Sequence, residues 1–122
     1  MKRYQYDSRR PIDKFGSRDV SISPLMRIVE SHVNILQVAC MHLEKDGLIG
    51  GHEAAVPQMF VIVNGEGWVA GEDRTRHPIQ AGQAVLWDAG EWHETSTRSG
   101  LTAIVIETDT IVPFPAFHEI SN

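Results

Sequence analysis

The chain of 122 residues has a single cysteine, Cys40, so no intrachain disulfide can form. Cys40 sits in an apolar, alternating stretch and reads as a buried, inert thiol. Long apolar runs are lacking as well. The longest strongly apolar one, Met59 to Val63, falls far short of the roughly 20 residues that span a bilayer. The polar start MKRYQYDSRR has no apolar core of a signal peptide, so a cytoplasmic location and no membrane partner are expected. There is no basic surplus: the formal net charge is -5, which argues against a nucleic-acid surface. The small basic cluster Lys2, Arg3, Arg9 and Arg10 reads as a solvated N-terminal arm. No stretch long enough for a helix shows a 3.6-residue period. A GxxxxGK[ST] phosphate loop, a GxSxG nucleophile elbow and a CxxC pair are all absent, which sets aside three common chemistries.

What remains is a chain of short β signals. Length predicts one domain with a sizeable core. Residues 1–23 read as an arm, with one short strand near Val20 to Ile22, and residues 24–122 as a single β domain. Strands are predicted at Met26–Val29 and Ile35–Leu43, then turns at Asp46-Gly47 and Gly50-Gly51. Gln58–Val63 runs into Asn64-Gly65, a strong hairpin signal, with Glu66–Ala70 returning as its partner. Thr75–Ile79, Ala84–Trp87, His93–Thr97 and Leu101–Glu107 complete the series. Pro113 and Pro115 stop any strand at about Val112, and the apolar Phe114 and Phe117 beyond need cover from the barrel or from a second subunit. Many short strands at near-regular spacing predict an all-β sandwich or barrel.

Two histidine stretches stand out. In the first, His52 follows Gly50-Gly51, and Gln58 opens the next apolar run with Phe60 and Ile62 on its face. In the second, Gly82 opens an apolar run, Gly90 turns the chain, and His93 follows with Thr95 and Thr97 on its face. His42 shares the parity of Val38 and Cys40 and reads as a structural histidine on a buried face. His32, His77 and His118 have no motif context and read as surface residues, and Glu91 as a solvated loop residue. Phe60, Trp68, Trp87 and Trp92 read singly as packing residues and together as the wall of an apolar small-molecule pocket.

These stretches resemble the paired motifs of the cupin superfamily. His52, Gln58 and Gly65 take the places of that family's first histidine, glutamate and closing glycine, with Ala54 where its second histidine stands and Gly47 one place off the opening glycine. Gly82, Gly90 and His93 match the second motif in register, while Asp88 replaces its proline and Thr97 its asparagine. The resemblance covers roughly residues 35–107. It implies a cupin-type double-stranded jelly-roll β-barrel, a homodimer, and a divalent transition metal held inside the barrel by His52, Gln58 and His93. Phe60, Ile62, Trp92 and Thr95 would line the adjoining ligand pocket. The resemblance points to a metal-dependent dioxygenase or isomerase. Ala54 and Gln58 at two of the four ligand places point instead to a metal-free, non-catalytic barrel that binds or senses a small molecule.

Overall fold

The computed structural model describes residues 1–29 and 32–121. The strands are β1 (Lys2–Gln5), β2 (Arg10–Pro11), β3 (Ser21–Ile22), β4 (Leu36–Leu43), β5 (Leu48–Glu53), β6 (Gln58–Ala70), β7 (Arg76–Gln80), β8 (Gln83–Trp87), β9 (Trp92–Ser96), β10 (Leu101–Thr108) and β11 (His118–Glu119). The described residues contain no helix, and so none long and apolar enough to cross a membrane. One sheet has the order β11-β1-β8-β6-β10-β4. A second runs β5-β9-β6-β7, and every pairing is antiparallel. The two share β6 and enclose an all-β jelly roll.

The inner core lies between the sheets and contains Phe60, Ile62, Val69, Ile79, Val85, Trp87 and Val105. A second apolar layer covers the outer face of the first sheet. Tyr4, Met59, Val61, Ala84, Ile106 and Phe117 form it, with Leu25, Met26 and Phe114 packed on top. Phe114 and Phe117 are therefore covered by their own barrel, and Phe117 meets Tyr4 with ring centroids 5.8 Å apart. The first part of the expected arm is integral to this arrangement. β1 pairs with β8, and Arg3 is buried, its guanidinium donating to the Pro78 carbonyl at 3.3 Å.

Four local expectations are corrected. Asn64-Gly65 is not a hairpin tip but the corner of one 13-residue strand. The first half of β6 pairs with β8 and β10, the second half with β7 and β9. The register with β10 slips between Thr102 and Ala103, leaving Val63 as an extra residue, and Gly65 turns the chain at φ 84°. A bulge with a left-handed glycine bends a strand without ending it, and the Asn-Gly pattern does not distinguish that from a turn. Gly50-Gly51 likewise lies within β5 as a bulge. Met26–Val29 forms no strand, because Met26 is committed to the outer apolar layer rather than to a ladder. Cys40 and His42 are exposed, because β4 is the end strand of its sheet and, among the described residues, none covers them.

Candidate functional site

The site forms where β5 and β9 pair. Before the bulge Ile49 lies opposite Thr95; after it His52 lies opposite His93. An uninterrupted register would have put Gly51 there instead, so the extra residue at Gly50-Gly51 decides that two histidines meet. Gly51 also accepts the indole of Trp92, since a Cβ on it would stand 2.1 Å from that ring. His93 is aimed inward by the preceding turn. Glu91 N donates to Asp88 O at 3.1 Å, and Gly90 takes the left-handed place at φ 81°.

The two imidazoles lie with ring centroids 4.3 Å apart. His93 is 4% exposed and rests against Trp87 at 4.7 Å, whose own indole N–H is fixed on the Ala70 carbonyl at 3.1 Å. His52 is exposed at the barrel mouth. The Nδ1 of His52 is 2.8 Å from Gly50 O, and the Nδ1 of His93 is 3.4 Å from Glu91 O. A carbonyl only accepts, so in each ring Nδ1 carries the proton and the neutral ring keeps its lone pair on Nε2. Burial holds the His93 imidazole below its ordinary pKa. The nearby His52 pushes the same way, while the Glu91 carbonyl and the carboxylates of Glu91 and Glu107 oppose it. His93 is thus kept neutral, the form that offers a lone pair.

Gln58 opens β6 and lies opposite both Trp87 and Glu107. Its Nε2 donates to Glu107 Oε1 at 3.0 Å, which turns the amide donor away and leaves the carbonyl oxygen. Glu107 is the site residue that the motif comparison missed. A signal was present: Leu101, Ala103, Val105 and Glu107 share one face of β10, and the first three are buried. An acidic residue that continues a buried face is unusual.

The other expected pocket residues fall in two places. Phe60, Ile62 and Thr95 are packed in the core, 2%, 0% and 1% exposed, and Phe60 meets Trp87 edge-on at 6.0 Å. Trp92 faces outward, with the Arg74 guanidinium 4.4 Å above its ring. Glu91 is not a free loop carboxylate: it holds the Met1 amino group and the Asp88 N–H. Among the described residues no group of three or more His, Cys, Asp or Glu stands in an arrangement that could hold a metal ion. A cavity of about 630 Å³ lies away from the histidines, lined by Arg3, Trp68, Pro78, Gln83 and Arg98 among others.

The two-sheet antiparallel jelly roll is shared with solved structures of low sequence identity. The fold matches that of a cupin superfamily protein from Desulfitobacterium hafniense, with a TM-score of 0.58 and 11% identity over 83% of this chain and 92% of that one. An RmlC-like cupin from Shewanella frigidimarina matches with a TM-score of 0.57 and 17% identity over 62% of this chain and 67% of that one. A predicted oxalate decarboxylase from Thermotoga maritima matches with a TM-score of 0.53 and 24% identity over 63% of this chain and 65% of that one. No protein-family model and no curated protein matches the chain. The fold is that of the cupin superfamily, as the motif spacing implied.

Proposed function

We propose that this cupin binds a divalent transition metal, weakly and exchangeably, together with a small molecule at the barrel mouth. The observation that carries this is the orientation of the histidine pair. Both Nδ1 protons are spent on backbone carbonyls, and this is how metal-ligating histidines are usually fixed. The polar atoms left over are acceptors: Nε2 of His52, Nε2 of His93 and the amide oxygen of Gln58. A set made only of acceptors suits a cation. Imidazole favours transition metals over magnesium or calcium. Glu107 lies behind Gln58 and supplies negative charge in place of the carboxylate missing at position 58.

Two imidazoles and an amide make a weaker set than three histidines and a carboxylate, so an ion here exchanges with solvent. When bound, it would act as a Lewis acid toward an oxygen of the small molecule. The protein's own residues do the rest. Trp87 braces His93, Gly90 aims it, and the hydrogen bond to Glu107 occupies the Gln58 amide nitrogen, so that its carbonyl oxygen is the atom it would offer.

A second reading is favoured by one observation, the lack of any third His, Cys, Asp or Glu in the cluster among the described residues. In that reading the same acceptors take the hydroxyl or amine donors of an organic ligand without metal. Metal analysis of untagged protein, followed by calorimetric titration with zinc, nickel and manganese, separates the two. Saturable binding of one ion per chain that is lost in both His52→Ala and His93→Ala supports the metal reading. Protein that stays metal-free after reconstitution overturns it.

A further inference from the structure

The cavity of about 630 Å³ opens where the two sheets part. β7 belongs to the second sheet and pairs only with β6, so one of its edges carries no strand. Side chains from β1 and β8, in the first sheet, finish that edge instead. The Arg3 guanidinium donates to Pro78 O at 3.3 Å, and Gln83 Oε1 accepts the Gln80 N–H at 3.1 Å. Pro78 itself has no N–H to offer. An added strand would therefore meet a proline and two groups already in use, and the space beside the edge suits a small molecule instead. The cavity is also separate from the histidine pair. His93 lies near the start of β9, whereas Arg98 and Ser99, which line the cavity, follow the end of that strand.

Around this cavity the charge of the barrel is reversed. From residue 28 onward the sequence has four cationic side chains, Lys45, Arg74, Arg76 and Arg98, against 13 carboxylate side chains. Arg98 lines the cavity, and Arg76 sits 4.8 Å above the ring of Trp68, another lining residue. Arg76 donates to the neutral Ser96 hydroxyl at 3.0 Å, so its charge is kept. Glu66 is the one carboxylate in the lining. Arg3 is 7% exposed and already partnered, so it serves as wall and not as the group that receives a ligand. Arg98 and Arg76 set against Glu66 leave one positive charge. That suits a carboxylate better than a phosphate monoester, which carries about -1.5 to -2 at neutral pH. The volume lies in the range of sites for organic molecules, about 300–1,000 Å³, and is far more than an inorganic anion fills. Pro78, Ile79 and Ile120 supply apolar walls, and Ile120 is fixed by its N–H on Arg3 O at 2.7 Å.

We propose that this cleft is a binding site for a small organic monocarboxylate with an apolar body. Arg98 is the residue that meets the carboxylate, since a guanidinium presents two parallel N–H groups to it. Arg98 is exposed and, among the described residues, enters no ion pair. Ser99 beside it adds a hydroxyl donor. The apolar body displaces water from Pro78, Ile79 and Ile120. Glu66 repels a second negative group and so selects monoanions over dianions.

Calorimetric titration of the full chain with 1-naphthoate tests this, in EDTA so that no metal takes part. Saturable binding of one naphthoate per chain is expected, with the uncharged analogue 1-naphthamide about tenfold weaker. Arg98→Gln should weaken naphthoate about tenfold and leave naphthamide unchanged. Glu66→Gln should act in the opposite direction and tighten naphthoate about threefold. Both side chains are exposed, so neither variant disturbs the core. His52→Ala should bind naphthoate as wild type does. No binding at millimolar naphthoate, equal affinities for the two probes, or wild-type affinity in Arg98→Gln overturns the proposal. So does loss of binding in His52→Ala, which would place the probe at the barrel mouth instead.

Discussion

Gln58 Nε2 donates to Glu107 Oε1 at 3.0 Å across the β6–β10 ladder. An amide on one strand thus satisfies a carboxylate on the next, at the place where the cupin motif puts a carboxylate of its own. Gln58→Glu would set two carboxylates against each other and remove the amide donor. The expected result is a loss of about 1–3 kcal/mol in urea unfolding at pH 7 without metal. A divalent cation that bridges the pair would restore it, because a ligand bound only to the folded state adds stability. A variant as stable as wild type in chelator would show that the hydrogen bond contributes little.

The two histidines should separate in stability while agreeing in binding. His93 is buried between Trp87 and His52, so His93→Ala leaves a cavity and should cost about 2–4 kcal/mol. His52 is exposed, and His52→Ala should cost under about 1 kcal/mol. Both variants should lose metal. Denaturant melts set beside calorimetric titrations of the two variants test this, and equal stability losses would contradict the packing described.

Acid should destabilise the fold through His93. Its folded pKa is held below the ordinary value of about 6.5. Between the two values the unfolded chain binds a proton that the folded chain refuses, so stability rises with pH through that window. The contribution is fully present above about 6.5 and is lost as pH falls toward the depressed folded value. Urea midpoints measured from pH 7.5 down to 5 should decline in wild type and more weakly in His93→Gln, where the titrating group is gone. Parallel declines would assign the effect elsewhere.

Gly65 should be intolerant of a side chain. It sits at φ 84°, and a Cβ would stand 2.2 Å from the Gly100 carbonyl oxygen. Gly65→Ala therefore meets both a left-handed penalty and a backbone clash. A loss of more than about 2 kcal/mol is expected. Gly90→Ala has the same left-handed penalty but nothing within 4 Å of its Cβ, and should cost about 1–2 kcal/mol. Thermal melts of the two variants side by side check the difference.

Much of this was legible in the chain. The β-branched and apolar content of Leu101–Glu107 and Ala84–Trp87 specified strands, because such side chains fit a pleated, half-buried surface. The spacing of Gly82, Gly90 and His93 specified the turn, since a left-handed place in a tight turn selects glycine. Glu107 was legible in principle, as an acid on a buried parity, but its partner Gln58 lies 49 residues away and only the ladder brings them together.

By itself, then, the sequence determined the β class and the glycine turn before His93, which rest on short-range sterics, while the motif register and the inward direction of His93 were implied by the resemblance. The tertiary structure decided three things that it could not. Gly65 is a sheet corner rather than a hairpin, because β8, β10, β7 and β9 pair with both of its sides. His52 rather than Gly51 meets His93, because one extra residue at Gly50-Gly51 resets the β5–β9 register. The row from Leu36 to His42 is open rather than buried, because parity sets which residues share a face and only the order of strands sets whether anything covers it.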